Sequence, residues 1–138
     1  MYLLDTDVLS ALAKRRRDPH VERWLARRRD DDLFLSVISV GEIERGIAMQ
    51  RDRDPAFAER LATWLDRLLA GYAERLLPFD LAAARRWGEL SARTGHGGAD
   101  LQIAATALAR GLTVATRNGP HFAPTGVALV NPFDPAAV

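Results

Sequence analysis

Asp5, Glu42 and Asp100 are the residues of this chain whose positions suit chemistry better than packing. Asp5 ends the apolar run Tyr2-Leu3-Leu4 and is followed by Thr6 and Asp7. Glu42 falls in the first turn of a helix expected to open at Ser39, and Asp100 begins a helix of small residues. A further polar group, Thr116, Arg117 and Asn118, follows an apolar run, with His121 shortly after. Carboxylates that gather repel one another, and burying them unpaired is costly. A divalent cation removes both difficulties. Mg²⁺ takes oxygen ligands, keeps several waters and is commonly held by one or two carboxylates plus a substrate phosphate. Mg²⁺ or Mn²⁺ so held activates water and stabilises the charge that develops when a phosphodiester is displaced. The absence of cysteine and the presence of only three histidines point away from zinc.

Each residue also has a structural reading. Ser39 and Glu42 have the spacing of a capping box, which would make Glu42 a helix cap. Asp100 suits the start of any helix. His20 follows an Asp-Pro pair and His96 sits among glycines, so both are expected to be exposed. Asp5 resists such a reading, because a buried strand has no need of an acid at its end.

The elements that would position these residues follow from hydrophobic period and punctuation. Tyr2–Leu4 is too short to be anything but a buried strand, and Val8–Lys14 reads as the first helix. Asp18-Pro19 and Asp54-Pro55 each start a helix, with Asp as cap and Pro at the first helical position. Leu33–Ser36, Leu112–Thr116 and Val127–Val130 read as strands, and Leu76–Phe79 as a short extended piece. Asp80 caps a helix that carries Ala83, Trp87 and Leu90, and Gly111 closes the helix that begins at Ala99-Asp100. The stretch from Asp54 to Gly95, poor in strand, suggests a helical hairpin projecting from the sheet. Strands alternating with helices predict an α/β fold with a parallel sheet, whose sites form at the carboxyl ends of its strands.

At 138 residues and 48% hydrophobic, the chain fits one domain, residues 1–138, with loose final residues. It lacks an apolar run long enough to span a membrane, and acids stand where a signal peptide is apolar. With no cysteine, a soluble cytoplasmic protein is expected. Net charge is +1, yet Lys14–Arg29 holds eight basic residues against two acids. An arginine patch on a near-neutral domain suits a polyanion, although a solvated helix face has the same composition.

Leu3–Ser10, Ser39-Val40-Gly41-Glu42-Ile43 with Gly46-Ile47, Asp100–Ala107 and Thr116-Arg117-Asn118 together resemble the PIN-domain ribonucleases, most closely the VapC toxins of toxin–antitoxin pairs. Val130-Asn131-Pro132-Phe133 resembles the FitB-like branch. The resemblance covers nearly the whole chain. It implies a parallel sheet sandwiched by helices and an Mg²⁺- or Mn²⁺-dependent endoribonuclease acting on RNA. It also implies a cognate antitoxin and a homodimer. Asp5, Glu42 and Asp100 are then the metal-binding acids, with Thr6, Thr116 and Asn118 in support. Arg15, Arg16, Arg17 and Arg117 become candidate RNA contacts. Ile47, Phe57 and Trp64 become candidate walls of a groove for an amphipathic antitoxin segment. One position departs from the pattern: His121 stands where the family usually carries an acid, which leaves either a ligand or acid–base group there or an ordinary loop residue.

Two other readings compete. Asp5-Thr6-Asp7 is also similar to the acid pair of haloacid-dehalogenase-like phosphatases, in which the first Asp is phosphorylated. That family needs a late basic residue and a closing acid pair, and the one lysine, Lys14, comes too early. A catalytically silent RNA- or partner-binding module would suit the arginine patch and the replaced fourth acid.

Overall fold

The computed structural model describes all 138 residues. Five strands, β1 (Tyr2–Leu4), β2 (Leu33–Ser36), β3 (Leu76–Leu77), β4 (Thr113–Ala115) and β5 (Leu129–Val130), form one sheet in the order β3-β2-β1-β4-β5. Every pairing is parallel. All strands therefore end at the same edge of the sheet. The chain leaves β1 for β2 on one side and reaches β4 on the other. That reversal opens a crevice beyond the carboxyl end of β1, the place where open α/β sheets bind ligands.

Leu3 and Leu4 are both fully buried, on opposite faces of the pleat. Leu3 packs with Val114, Ile103, Ala104 and Phe122, whereas Leu4 packs with Leu35, Val8, Leu9 and Trp24. Both faces of the sheet are thus covered, which is why its strands are continuously apolar. Helices α1 (Thr6–Ala13) and α2 (Pro19–Ala26) cover the Leu4 face, and α6 (Ala99–Arg110) the Leu3 face.

The Asp-Pro starts behave as expected. Asp18 accepts from the His20 N–H at 2.8 Å at the head of α2, and Asp54 accepts from the Phe57 N–H at 3.1 Å at the head of α4 (Pro55–Gly71). Asp80 caps α5 (Leu81–Thr94) through the Ala83 N–H at 3.0 Å. Gly111, at φ +66, ends α6 in the left-handed conformation that glycine adopts without a steric penalty.

Three expectations need correcting. Helix α1 begins at Thr6, not Val8, because Asp5 itself is its cap. Helix α3 (Val37–Gln50) begins directly after β2, with Ser36 as its cap and the Ile38 N–H donating to Ser36 Oγ at 3.0 Å. Ser39 and Glu42 therefore lie inside α3 and form no capping box, which frees the Glu42 carboxylate. The expected hairpin from Asp54 to Gly95 does not form, since β3 joins the sheet between α4 and α5. Helix α4 packs on α3 and α5 on α6. A short helix, α7 (Gly119–Phe122), follows β4, anchored by the fully buried Phe122. No helix is long and apolar enough to cross a membrane.

Candidate active site

The carboxyl edge of the sheet carries Asp5 after β1, Ser36 at the end of β2 and Thr116 after β4. Asp5 is 3% exposed. Its Oδ1 accepts from the Thr6 N–H at 2.8 Å, and its Oδ2 accepts from the Thr116 hydroxyl at 2.8 Å. Burial raises the Asp5 carboxyl from 3.8 to about 7; the Asp7 charge and, more weakly, the Asp100 charge push the same way, while the two hydrogen bonds pull back. The supporting bonds are therefore too few to offset the loss of water.

Glu42 reaches this centre through Thr6, whose hydroxyl donates to Glu42 Oε1 at 2.7 Å and meets the Ser39 hydroxyl at 2.9 Å. Ser39 is fully buried, so α3 is fixed to the first turn of α1 here. Asp100, in the first turn of α6, pairs with His121 of α7, Nδ1 to Oδ2 at 3.2 Å. Asn118 contributes its backbone, its N–H donating to Thr116 Oγ1 at 3.0 Å. Asp5 is thus linked to Glu42 through Thr6 and feels the charge of Asp100. Even so, no three Asp, Glu or His side chains gather tightly enough to hold an ion directly.

The donor set still fits a hard cation. It is all oxygen around Asp5, and Asp7 adds a buried Oδ1 with no hydrogen-bond partner. Mg²⁺ needs only one or two carboxylates, since waters and a phosphate complete its shell.

In the sequence Asp7 figures only as half of a phosphatase-like acid pair and Ser39 only as a helix cap, and neither as a residue of this site. Asp7 Oδ2 accepts from the Arg117 N–H at 2.9 Å and lies 3.3 Å from the Thr116 hydroxyl, tying α1 to the loop after β4. The Asp-Thr-Asp triplet was its signal. Ser39 carried none, because a serine near a helix start reads first as a cap.

Beside the acids, a hollow of about 350 Å³ runs between α1, α3 and α4, lined by Thr6, Ser10, Glu42, Gly46, Phe57 and Trp64 among others. Ile47 is fully buried and forms no part of its wall, a correction to the expected groove. The hollow shares Ala13, Lys14 and Trp64 with a second one bordered by Arg15, Arg16 and Arg17. These arginines are exposed, and Arg17 meets Glu22 at 3.8 Å. The Arg117 guanidinium stacks over the Phe133 ring at 4.3 Å.

Comparison with known proteins agrees with this architecture. The chain is 38% identical to VapC ribonuclease Y4jK of Sinorhizobium fredii, over 99% of this chain and 100% of that one. It is 36% identical to Toxin FitB of Neisseria gonorrhoeae, over 96% of this chain and 99% of that one. The crystal structure of FitAcB from Neisseria gonorrhoeae superposes with a TM-score of 0.87 at 33% identity, covering 96% of this chain and 99% of that one. The phosphatase reading of Asp5-Thr6-Asp7 falls here, because the PIN domain family matches residues 2–124. On fold, order of motifs and similarity along nearly its whole length, this chain belongs to the PIN domain family.

Proposed function

We propose that this chain is an Mg²⁺- or Mn²⁺-dependent endoribonuclease and the toxin of a toxin–antitoxin pair. The observation that carries the reading is Asp5: a carboxylate buried at the switch point of the sheet, raised to about 7 and bordered by Asp7, Glu42 and Asp100. Such a group is stabilised by a cation, in addition to its part as the cap of α1. The relatives named ribonuclease and toxin support the same reading.

Asp5 and Asp100 would be the principal holders of the cation, with Glu42 in reach through Thr6. When bound, that ion supplies an activated water and neutralises charge on the phosphate. Thr116 and the Thr6 N–H orient the Asp5 carboxylate. Thr6 and Ser39 hold Glu42 at the crevice. Lys14 and Arg15–Arg17, continuous with the acid groove, would carry the RNA backbone toward it.

An antitoxin would silence such a site most simply with a basic side chain among the acids. Arginine suits, because its fork pairs with carboxylates bidentately. Phe57 and Trp64 offer apolar walls for the flanking amphipathic segment. The resemblance also carries the expectation of a homodimer, which light scattering on purified protein measures.

The test is cleavage of RNA by purified protein with Mg²⁺, with Mn²⁺ and with chelator, beside Asp5→Asn. Loss of the carboxylate is expected to cost at least ~3 kcal/mol of transition-state stabilisation, by analogy with losing one preorganised electrostatic contact. Cleavage that survives chelator or Asp5→Asn in folded protein overturns the metal-dependent site at Asp5, and no cleavage by the parent protein under any condition overturns the nuclease assignment. Co-expression with the gene upstream tests the toxin assignment separately: a small protein encoded there should bind the chain and suppress growth arrest.

A further inference from the structure

Resting on the ribonuclease reading above, we propose that Trp64 is a base-stacking residue, whose indole ring receives one unpaired nucleotide of the RNA on its way to the acids. Position is the first ground. Trp64 is half-buried on α4 and lies where three hollows meet. One, of about 350 Å³, leads to Thr6 and Glu42. The second, of about 580 Å³, is bordered by Lys14 and Arg15–Arg17, and the third, of about 290 Å³, by Arg60 and Arg67. A strand that follows the arginines toward Glu42 therefore passes this ring.

The state of the ring is the second ground. Trp64 packs against the core around Val8 and Leu9 and against the cluster of Ile47, Ala58 and Leu65, which holds it in place. Five other rings are covered by guanidinium groups: Arg28 lies over Tyr2 and Trp24, Arg60 over Phe57, Arg75 over Tyr72 and Arg117 over Phe133. Trp64 carries none, although Arg60 and Arg67 stand four residues before it and three after it on α4, the spacing of neighbours on one face. Its N–H is equally uncommitted. Trp24 Nε1 is buried and Trp87 Nε1 donates to the Gly97 carbonyl at 3.3 Å, whereas Trp64 Nε1 does neither. An anchored ring that no cation covers is what a stacking platform requires.

Charge names the occupant. The second and third hollows together hold six basic side chains, all exposed, against Glu22 and Glu59. In the third, Trp64 is the one hydrophobic residue. An aromatic face set among cations suits a polyanion that carries flat bases better than it suits an amphipathic peptide. The arginines would hold phosphates on either side, while the ring takes the base between them.

The experiment measures RNA binding in the presence of chelator, which stops the proposed cleavage. The probe is a fluorescein-labelled oligouridylate, intact or with one abasic ribose moved along the strand, read by anisotropy. Trp64→Leu keeps an apolar side chain against the core and removes the aromatic face; Trp64→Phe keeps a smaller aromatic, and circular dichroism checks the fold of both. We expect Trp64→Leu to weaken binding about fivefold or more with the salt slope unchanged, and Trp64→Phe to retain most of the affinity. One abasic position should weaken the parent by a similar factor and leave Trp64→Leu unaffected. RNA should quench tryptophan fluorescence in the parent and not in Trp64→Phe, a comparison that stands even if Trp64→Leu fails to fold. Equal affinity of parent and Trp64→Leu, abasic losses that recur in full in Trp64→Leu, or no quenching in the parent overturns the role of Trp64. Loss of antitoxin capture by Trp64→Leu with RNA affinity intact also overturns it and assigns the ring to the protein partner. A parent protein that neither binds nor cleaves RNA sinks the ribonuclease reading itself.

Discussion

The Thr116 hydroxyl donates to Asp5 Oδ2 at 2.8 Å, joining the ends of two adjacent parallel strands. It is one of two hydrogen bonds that hold the Asp5 carboxyl below the value burial alone would impose. Thr116→Val keeps the shape and removes the donor. The variant should lose about 1–2 kcal/mol of stability above pH 7, and the Asp5 carboxyl should rise above its value in the parent protein. Denaturant unfolding at pH 8 and NMR titration of the Asp5 carboxyl carbon measure the two effects. If neither moves, this bond does not hold Asp5.

The raised Asp5 value fixes the sign of a pH effect. The folded chain keeps this proton up to about 7, while an ordinary aspartate releases it at 3.8. Between those values the folded state binds more protons than the unfolded state. This contribution to stability is therefore undiminished below about pH 4 and is lost as pH rises toward 7. At about 1.4 kcal/mol per tenfold change in proton affinity, the loss is on the order of 4 kcal/mol. Unfolding of metal-free protein across that range should show the decline, and Asp5→Asn should flatten it. Adding Mg²⁺ at pH 8 should restore part of the stability in the parent and none in the variant.

Gly46 offers a way to fill the groove without touching the acids. It lies on the exposed face of α3, lines the hollow beside Glu42, and has nothing within 4 Å of where a Cβ would stand. Gly46→Ala should stabilise the helix by roughly 0.5–1 kcal/mol. Gly46→Leu should fold equally well and close the hollow to an amphipathic segment. Thermal melts test the first claim, and capture of the antitoxin by each variant tests the second. Undiminished capture by Gly46→Leu would place the partner elsewhere.

The arginine-lined hollow predicts a salt dependence. Arg15, Arg16 and Arg17 are exposed, and the Arg17–Glu22 contact at 3.8 Å is too weak to withhold Arg17 from a phosphate. Changing all three to Ala should lower the slope of log affinity for RNA against log salt by up to about 2, since each contact on single-stranded RNA contributes roughly 0.7. Fluorescence anisotropy across a salt series measures the slope. An equal slope in the two proteins would leave the patch as surface.

Local signals carried much of this architecture. The Asp-Pro pairs at Asp18 and Asp54, the cap at Asp80 and the glycine stop at Gly111 are short-range devices, and each forms where sequence places it. The position of Asp5 was legible because an acid closing an apolar strand is conspicuous. The start of α3 was not legible, because Ser36 and Ser39 both suit a cap and only the end of β2 decides between them. That displacement concealed the bond between Thr6 and Glu42. Strand β3 was legible only as an extended piece at Leu76–Phe79: two residues show no period, and their membership in the sheet depends on a pairing with β2 some 41 positions earlier. Asp7 looked like half of a different motif until the loop after β4 supplied its partner.

The pairing of β1 with β4 bears on how the protein is made. Asp5 is synthesised 111 residues ahead of the hydroxyl that orients it. The central strand lacks its β4 neighbour until those residues are made, and non-local parallel pairing is slow to form. A partly translated chain therefore holds its carboxylates unassembled. Any activity that depends on an oriented Asp5 should begin only once the chain has cleared the exit tunnel to Thr116.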